Sequence, residues 1–118
     1  MTSEKSGVLQ ACLGKGQNLV ELVEYAKDSI VSKTIIDKTA GTITLFAFDK
    51  GQKLSEHTAP YDAVVQVLDG KAQIKIDSKD NDILAGEIII MPADVPHSVA
   101  ADEKFKMLLI MIRTKNEK

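Results

Sequence analysis

The chain holds only two histidines, His57 in "GQKLSEHTAPYDA" and His97 in "GEIIIMPADVPHSVA", forty positions apart. Imidazole suits proton transfer near neutral pH and is the commonest nitrogen ligand for transition metals. Either use asks for convergence. A divalent ion takes three or four nitrogen or oxygen donors about one point, with a position left for substrate or water. Two imidazoles alone leave most of that shell to solvent. On an extended strand, residues two apart share a face. Tyr61 therefore has the parity to join His57 and present its hydroxyl, whereas Glu56 and Asp62 point away unless a bulge intervenes. Asp94, in the loop ahead of His97, can fold over the mouth of such a site. Ser98 follows His97 directly and faces the other way, so no nucleophilic triad forms there.

The remaining reactive residues carry weaker signals. Cys12 is the only cysteine and has no histidine near it in "VLQACLGKG", so it reads as an inert thiol, and no internal disulfide can form. "GKG" at Gly14–Gly16 lacks the strand and helix that make a phosphate loop. Met91, Met107 and Met111 lie in apolar runs and read as core filling rather than soft-metal ligands. A net charge of −2, a pI near 5.6 and 4% aromatic residues argue against a nucleic-acid or anionic-membrane partner. The longest apolar run, "MLLIMI", is far below the ~20 residues of a membrane span. "MTSEKSGVLQACLGKG" has no sustained apolar stretch of the secretory kind. A cytoplasmic location is expected, and a single cysteine fits a reducing compartment.

What elements would position the two histidines? At 118 residues the chain is of single-domain size. Residues 1–17 are mixed and read as an irregular N-terminal segment. Residues 18–112 form the folded barrel, and 113–118, "RTKNEK", a charged tail. "NLVELVEYAKDS" has apolar residues near helical spacing and reads as a short helix or an edge strand. From Ile30 onward come short β-rich runs: "IVSKTII", "TITLFAF", "DAVVQVL", "KAQIKI", "EIIIM", "HSVAA" and "FKMLLIMI". The breaks "AG", "DKG", "DG", "SKDND" and "PADVP" supply turn residues. Asp69-Gly70 predicts a two-residue type I′ hairpin joining "VVQVL" to "KAQIKI". Short strands without helical alternation argue for an all-β antiparallel sandwich or barrel.

At Gly51 and Gly86 the sequence resembles the cupin family, whose fold is a small jelly-roll β-barrel. The first family motif reads Gly, five residues, His-x-His, three or four residues, Glu, six residues, Gly. It is met here by Gly51, His57, Ala59, Ala63 and Gly70. The second, Gly, five residues, Pro-x-Gly, two residues, His, three residues, Asn, is met by Gly86, Pro92, Asp94, His97 and Ala101. Every spacing agrees. The resemblance implies a metal held by His57 and His97, with zinc, iron, manganese, nickel or copper all within the family's chemistry. It also implies that the other two ligand positions have become Ala59 and Ala63. Such a pocket would be apolar on the side of Ala59, Ala63, Val65 and Val67 and basic at the imidazoles.

Three functions follow as expectations. The first is a small-molecule binding protein anchored by His57, Tyr61 and His97. The second is a metal-assisted enzyme of isomerase, decarboxylase or dioxygenase type, with histidine as general base and Tyr61 as acid. The third is an interaction module in which "NLVELV" covers a partner's sheet edge. A homodimer is expected in each case.

Overall fold

In a computed structural model, which describes residues 7–113, nine strands account for nearly all of the regular structure. They are β1 (Ile30–Lys38), β2 (Gly41–Phe48), β3 (Lys53–His57), β4 (Ala63–Asp69), β5 (Lys71–Ile76), β6 (Lys79–Leu84), β7 (Ile88–Met91), β8 (His97–Ala100) and β9 (Phe105–Ile112). A five-stranded sheet in the order β1-β2-β9-β4-β7 packs against a four-stranded sheet in the order β3-β8-β5-β6, and every pairing is antiparallel. This is a jelly-roll sandwich. Part of the N-terminal segment, residues 1–6, and most of the tail, 114–118, lie outside the described residues.

Period-two alternation decides what is buried. Ala63, Val65 and Val67 of β4, Ala72 and Ile74 of β5, and Phe105 and Met107 of β9 all point between the sheets and are buried. Phe48 and Phe105 stack at a centroid distance of 4.6 Å and anchor one end of this core. Each of the larger side chains among them contributes about 1.5–3 kcal/mol through burial.

The Asp69-Gly70 hairpin does not form. β4 pairs with β7 and β9, while β5 pairs with β6 and β8, so this link is a corner that carries the chain from one sheet to the other. Gly70 is required by the corner itself: its φ is +76°, and a Cβ there would lie 2.3 Å from the Lys104 carbonyl oxygen. The tight two-residue turn comes later. Asp77 and Ser78, with φ of 50° and 68°, join β5 to β6, Ile76 pairing with Lys79. The positive φ at both turn positions is the type I′ signature, reached without glycine. "SKDND" is therefore mostly strand, because pairing of β6 with β5 overrides its poor β propensity.

The segment 18–29 is neither a helix nor an edge strand. It makes a single 3₁₀ turn at Leu19–Glu21 and then runs as an irregular strap over the outer face of the five-stranded sheet. There Leu19, Leu22, Val23 and Tyr25 pack on Leu45, Ala47 and Leu108. Its apolar residues thus cover this chain's own sheet. Tyr25 closes the strap: its hydroxyl donates to Asp69 Oδ2 at 2.6 Å, and the ammonium groups of Lys104 and Lys106 sit 4.8 and 5.0 Å from its ring centre. Burial, followed by the hydrogen bond to Asp69 and that residue's negative charge, raises the Tyr25 phenol well above its usual range.

Candidate functional site

His57 ends β3 and His97 opens β8, and these neighbouring antiparallel strands place the two residues directly opposite each other. Their ring centroids are 4.4 Å apart at an interplanar angle of 70°. The convergence depends on an irregularity in β3. Leu54 pairs with Val99 and His57 with His97, so three steps along β3 match two along β8. The extra residue is a β-bulge, and it resets the inward-outward parity of the strand. Leu54 and His57 consequently line the same cavity.

Both rings are oriented by the backbone. His57 Nδ1 lies 2.8 Å from the Ser55 carbonyl oxygen, and His97 Nδ1 lies 3.1 Å from that of Val95. A carbonyl oxygen only accepts, so each Nδ1 carries a proton and, in the neutral ring, each Nε2 keeps a free lone pair. The two histidines differ in access: His97 is buried, with 4% of its surface exposed, while His57 is exposed at the rim.

Beneath them lies a cavity of about 160 Å³ lined by Phe46, Leu54, Ala59, Ala63, Val99 and Leu109, together with Met91, Met107 and Met111. Ala59 and Ala63 stand in the lining, where the resemblance puts the missing ligands. Val65 and Val67 do not: both are fully buried in the core. Their parity is right, but they lie further along β4, packed into the core cluster.

Tyr61 is half-buried and is not among the lining residues. Asp62 Oδ1 accepts the Ala93 N–H at 2.8 Å, and the Asp94 N–H donates to the Ala59 carbonyl at 2.7 Å. These bonds tie the loop after β3 to the loop before β8, so Asp62 stabilises the site's frame rather than facing its interior. Asp94 has φ +65° where the family pattern has glycine, a conformation that aspartate tolerates better than most residues. Glu56 is exposed.

These placements test the family's divalent ion. Among the described residues no group of three or more His, Cys, Asp or Glu converges. Among the described residues no carboxylate lines the cavity to balance a double positive charge. A hard divalent ion therefore does not fit the donors present.

The three lining methionines are what the sequence reading missed as site residues. Strand parity could have shown that Met107 and Met111 share a face with Phe105 and Leu109. It could not show that this face looks across at the histidines. A second, larger hollow of about 450 Å³ lies on the outer face of the four-stranded sheet, lined by Gln73, Lys75, Asp80, Asp82, Ser98 and Ala100. It contains no histidine, and Lys75 and Asp80 pair across it at 3.8 Å.

Comparison with known proteins agrees with this architecture. Residues 44–113 match the family described as "Cupin domain". The chain is 44% identical to a cupin 2 conserved barrel domain protein from Leptotrichia buccalis, over 82% of this chain and 47% of that one, with a TM-score of 0.79. It is 37% identical to a conserved protein of unknown function from Streptococcus pyogenes, over 86% and 89% of the two chains, with a TM-score of 0.82. It is also 29% identical to a glutamyl-tRNA reductase from Methanosphaera stadtmanae over 92% of this chain, and it spans about a quarter of that protein (24%). A fold of two antiparallel sheets, the two spaced motifs and the match over residues 44–113 converge on one assignment: the chain belongs to the cupin family.

Proposed function

We propose that this cupin binds a small, mainly apolar molecule in the cavity under His57 and His97, with a donor group of the guest bonded to one or both Nε2 atoms. One observation carries the reading: the chain's two imidazoles converge on a cavity otherwise lined by hydrocarbon and thioether side chains. No chemical step is required. A hydrocarbon-lined cavity of roughly 150 Å³ holds a benzene-sized guest, so the 160 Å³ here suits a single small ring or a short branched chain. About seven heavy atoms at ~0.7 kcal/mol each give ~5 kcal/mol, a dissociation constant below millimolar. The expectation of a divalent metal enzyme finds only two of the donors it needs. The similarity to about a quarter of a glutamyl-tRNA reductase supports a barrel that can also stand beside other catalytic machinery.

We further infer that two copies pair through the uncovered part of the five-stranded sheet, in the cytoplasm. Across its outer face Ile90, Val64, Ile110, Ile43 and Ile36 stand in one register row without a charge. That row ends at the free edge of β7, where Ile88 and Ile90 are 64% and 57% exposed. An apolar sheet edge of this kind is normally covered.

Nitrogen-detected NMR of the imidazoles during titration with a library of small aromatic and branched aliphatic compounds tests the binding reading. Binders should move both histidine rings and the methyl groups of Met91, Met107 and Met111 along one saturation curve. Compounds that shift only the outer hollow at Gln73 and Ser98, or nothing at all, would overturn it.

A further inference from the structure

Three of the chain's four methionines line the same small cavity as its two histidines. Met91 comes from β7, Met107 and Met111 from β9, and all three belong to the sheet opposite the one that carries the histidines. The sandwich thus sets two histidine side chains on one wall against three methionine side chains on the other. From this we infer that the cavity is a site for monovalent copper, held by Nε2 of His57 and His97 and by thioether sulfur from Met91, Met107 or Met111. The inference rests on the reading of this cavity as the functional site, and it adds a ligand class to that reading.

Three physical arguments favour this ion over a divalent one. The first is softness: thioether sulfur selects Cu(I), and imidazole suits copper as well, whereas hard ions such as manganese and magnesium want carboxylate, carbonyl or water oxygen. The second is charge. Every donor among the described lining residues is neutral and none of them is a carboxylate, so the charge of the bound ion stays uncompensated. The solvation cost of burying an ion scales with the square of its charge, making it about a quarter as large for a single as for a double charge. The third is coordination number. Cu(I) has a filled d shell and is satisfied by two or three donors, so the two imidazoles and one thioether would complete its shell without water. Methionine adapts at low cost, because its three rotatable bonds let the sulfur swing toward a guest. Both imidazoles are already in the required tautomer, each Nδ1 donating to a backbone carbonyl, as metal-bound histidines commonly do.

The alanines at positions 59 and 63 acquire a meaning in this account. A glutamate at 63 or a histidine at 59 would bring charge or a harder donor into the cavity and favour divalent ions. Their absence leaves a set of donors that discriminates against such ions.

The test is anaerobic titration of the full chain with Cu(I) against a chromophoric Cu(I) chelator, in a Cys12→Ala background so that the lone thiol cannot compete. X-ray absorption at the copper edge accompanies it. We expect about one Cu(I) per chain, sulfur in its first coordination sphere, and no retention of Zn(II). His57→Ala, a change at an exposed position, should weaken binding at least ten-fold. The combined Met91→Leu, Met107→Leu and Met111→Leu variant keeps volume and apolarity, and should lose the sulfur signal and weaken binding by a similar factor. Single Met→Leu changes serve if the triple variant does not fold. Copper held with only nitrogen and oxygen neighbours, or binding untouched by the methionine changes, overturns the inference. So does a wild-type chain that takes up no Cu(I) while small organic guests still shift both imidazoles, an outcome that leaves the binding reading standing. Failure of both copper and organic guests removes the two together.

Discussion

Leu54 and His57 line one cavity although three positions separate them on a single strand. In a regular strand such a pair would face opposite sides. The extra residue between Leu54 and His57 turns the histidine inward, and the Ser55 carbonyl displaced by the bulge accepts its Nδ1 proton.

Deleting Ser55 or Glu56 should restore regular pairing and send the His57 ring to solvent. The core does not include either residue, so the fold should survive with a loss of about 1–3 kcal/mol. Cross-peaks between the two imidazoles would disappear and guest binding with them. Persistence of the ring contact in the deletion variant would show that the bulge does not set the geometry.

Restoring the family's ligand pattern with Ala59→His and Ala63→Glu should convert the cavity to a hard divalent site. Metal analysis after reconstitution should rise from near zero to about one zinc or manganese per chain, as four convergent donors allow. Ala63 is 1% exposed, and the larger side chain should cost about 1–3 kcal/mol of stability before metal is added. No gain in metal content would mean that positions 59 and 63 do not converge with the histidines as the lining indicates.

Tyr25 should make stability fall on the alkaline side. Its folded pKa lies above the ordinary value of 10.0, chiefly because of burial and then because of Asp69. A group whose folded pKa is raised contributes fully below its unfolded pKa and loses that contribution as pH climbs through the folded value. Tyr25→Phe, which keeps the ring under Lys104 and Lys106, should lower stability near pH 7 by about 1 kcal/mol. The gap between wild type and variant should shrink above about pH 10. Denaturant unfolding at several pH values measures this, and a gap independent of pH would assign the effect to packing alone.

Ile90→Glu places a charge at the β7 end of the apolar row while leaving the inward-facing residues of β7 untouched. Light scattering should show a dimer for the wild type and a monomer for the variant, with unchanged circular dichroism. A wild-type monomer at high concentration would end the pairing proposal.

How much of this was legible beforehand depends on which physical signal each feature leaves in the chain. Seven strand runs, their alternation and the spacing of Gly51, His57, Gly86, Pro92 and His97 are local patterns, and they led to an all-β jelly roll of the cupin family. β3 and β6 left no such mark. "KLSEH" and "KDNDIL" are mostly polar and exposed, with Leu54 and Ile83 as their inward-facing residues, and become strands only because β8 and β5 lie beside them. The hairpin expected at Asp69-Gly70 failed for a related reason. A turn-forming dipeptide fixes a tight reversal of backbone direction, not which sheet the next strand will join.

Two imidazoles, alanine at two ligand positions and runs that alternate as strands do can all be read from the order of residues alone. The ring centroids at 4.4 Å, the place of Val65 and Val67 in the core, and the shared cavity of Met91, Met107 and Met111 with the histidines emerge from the folded chain. The reason is that parity along one strand is a local property of the backbone. Which face looks at which is set by how two sheets, formed from segments far apart in the chain, close over a shared core.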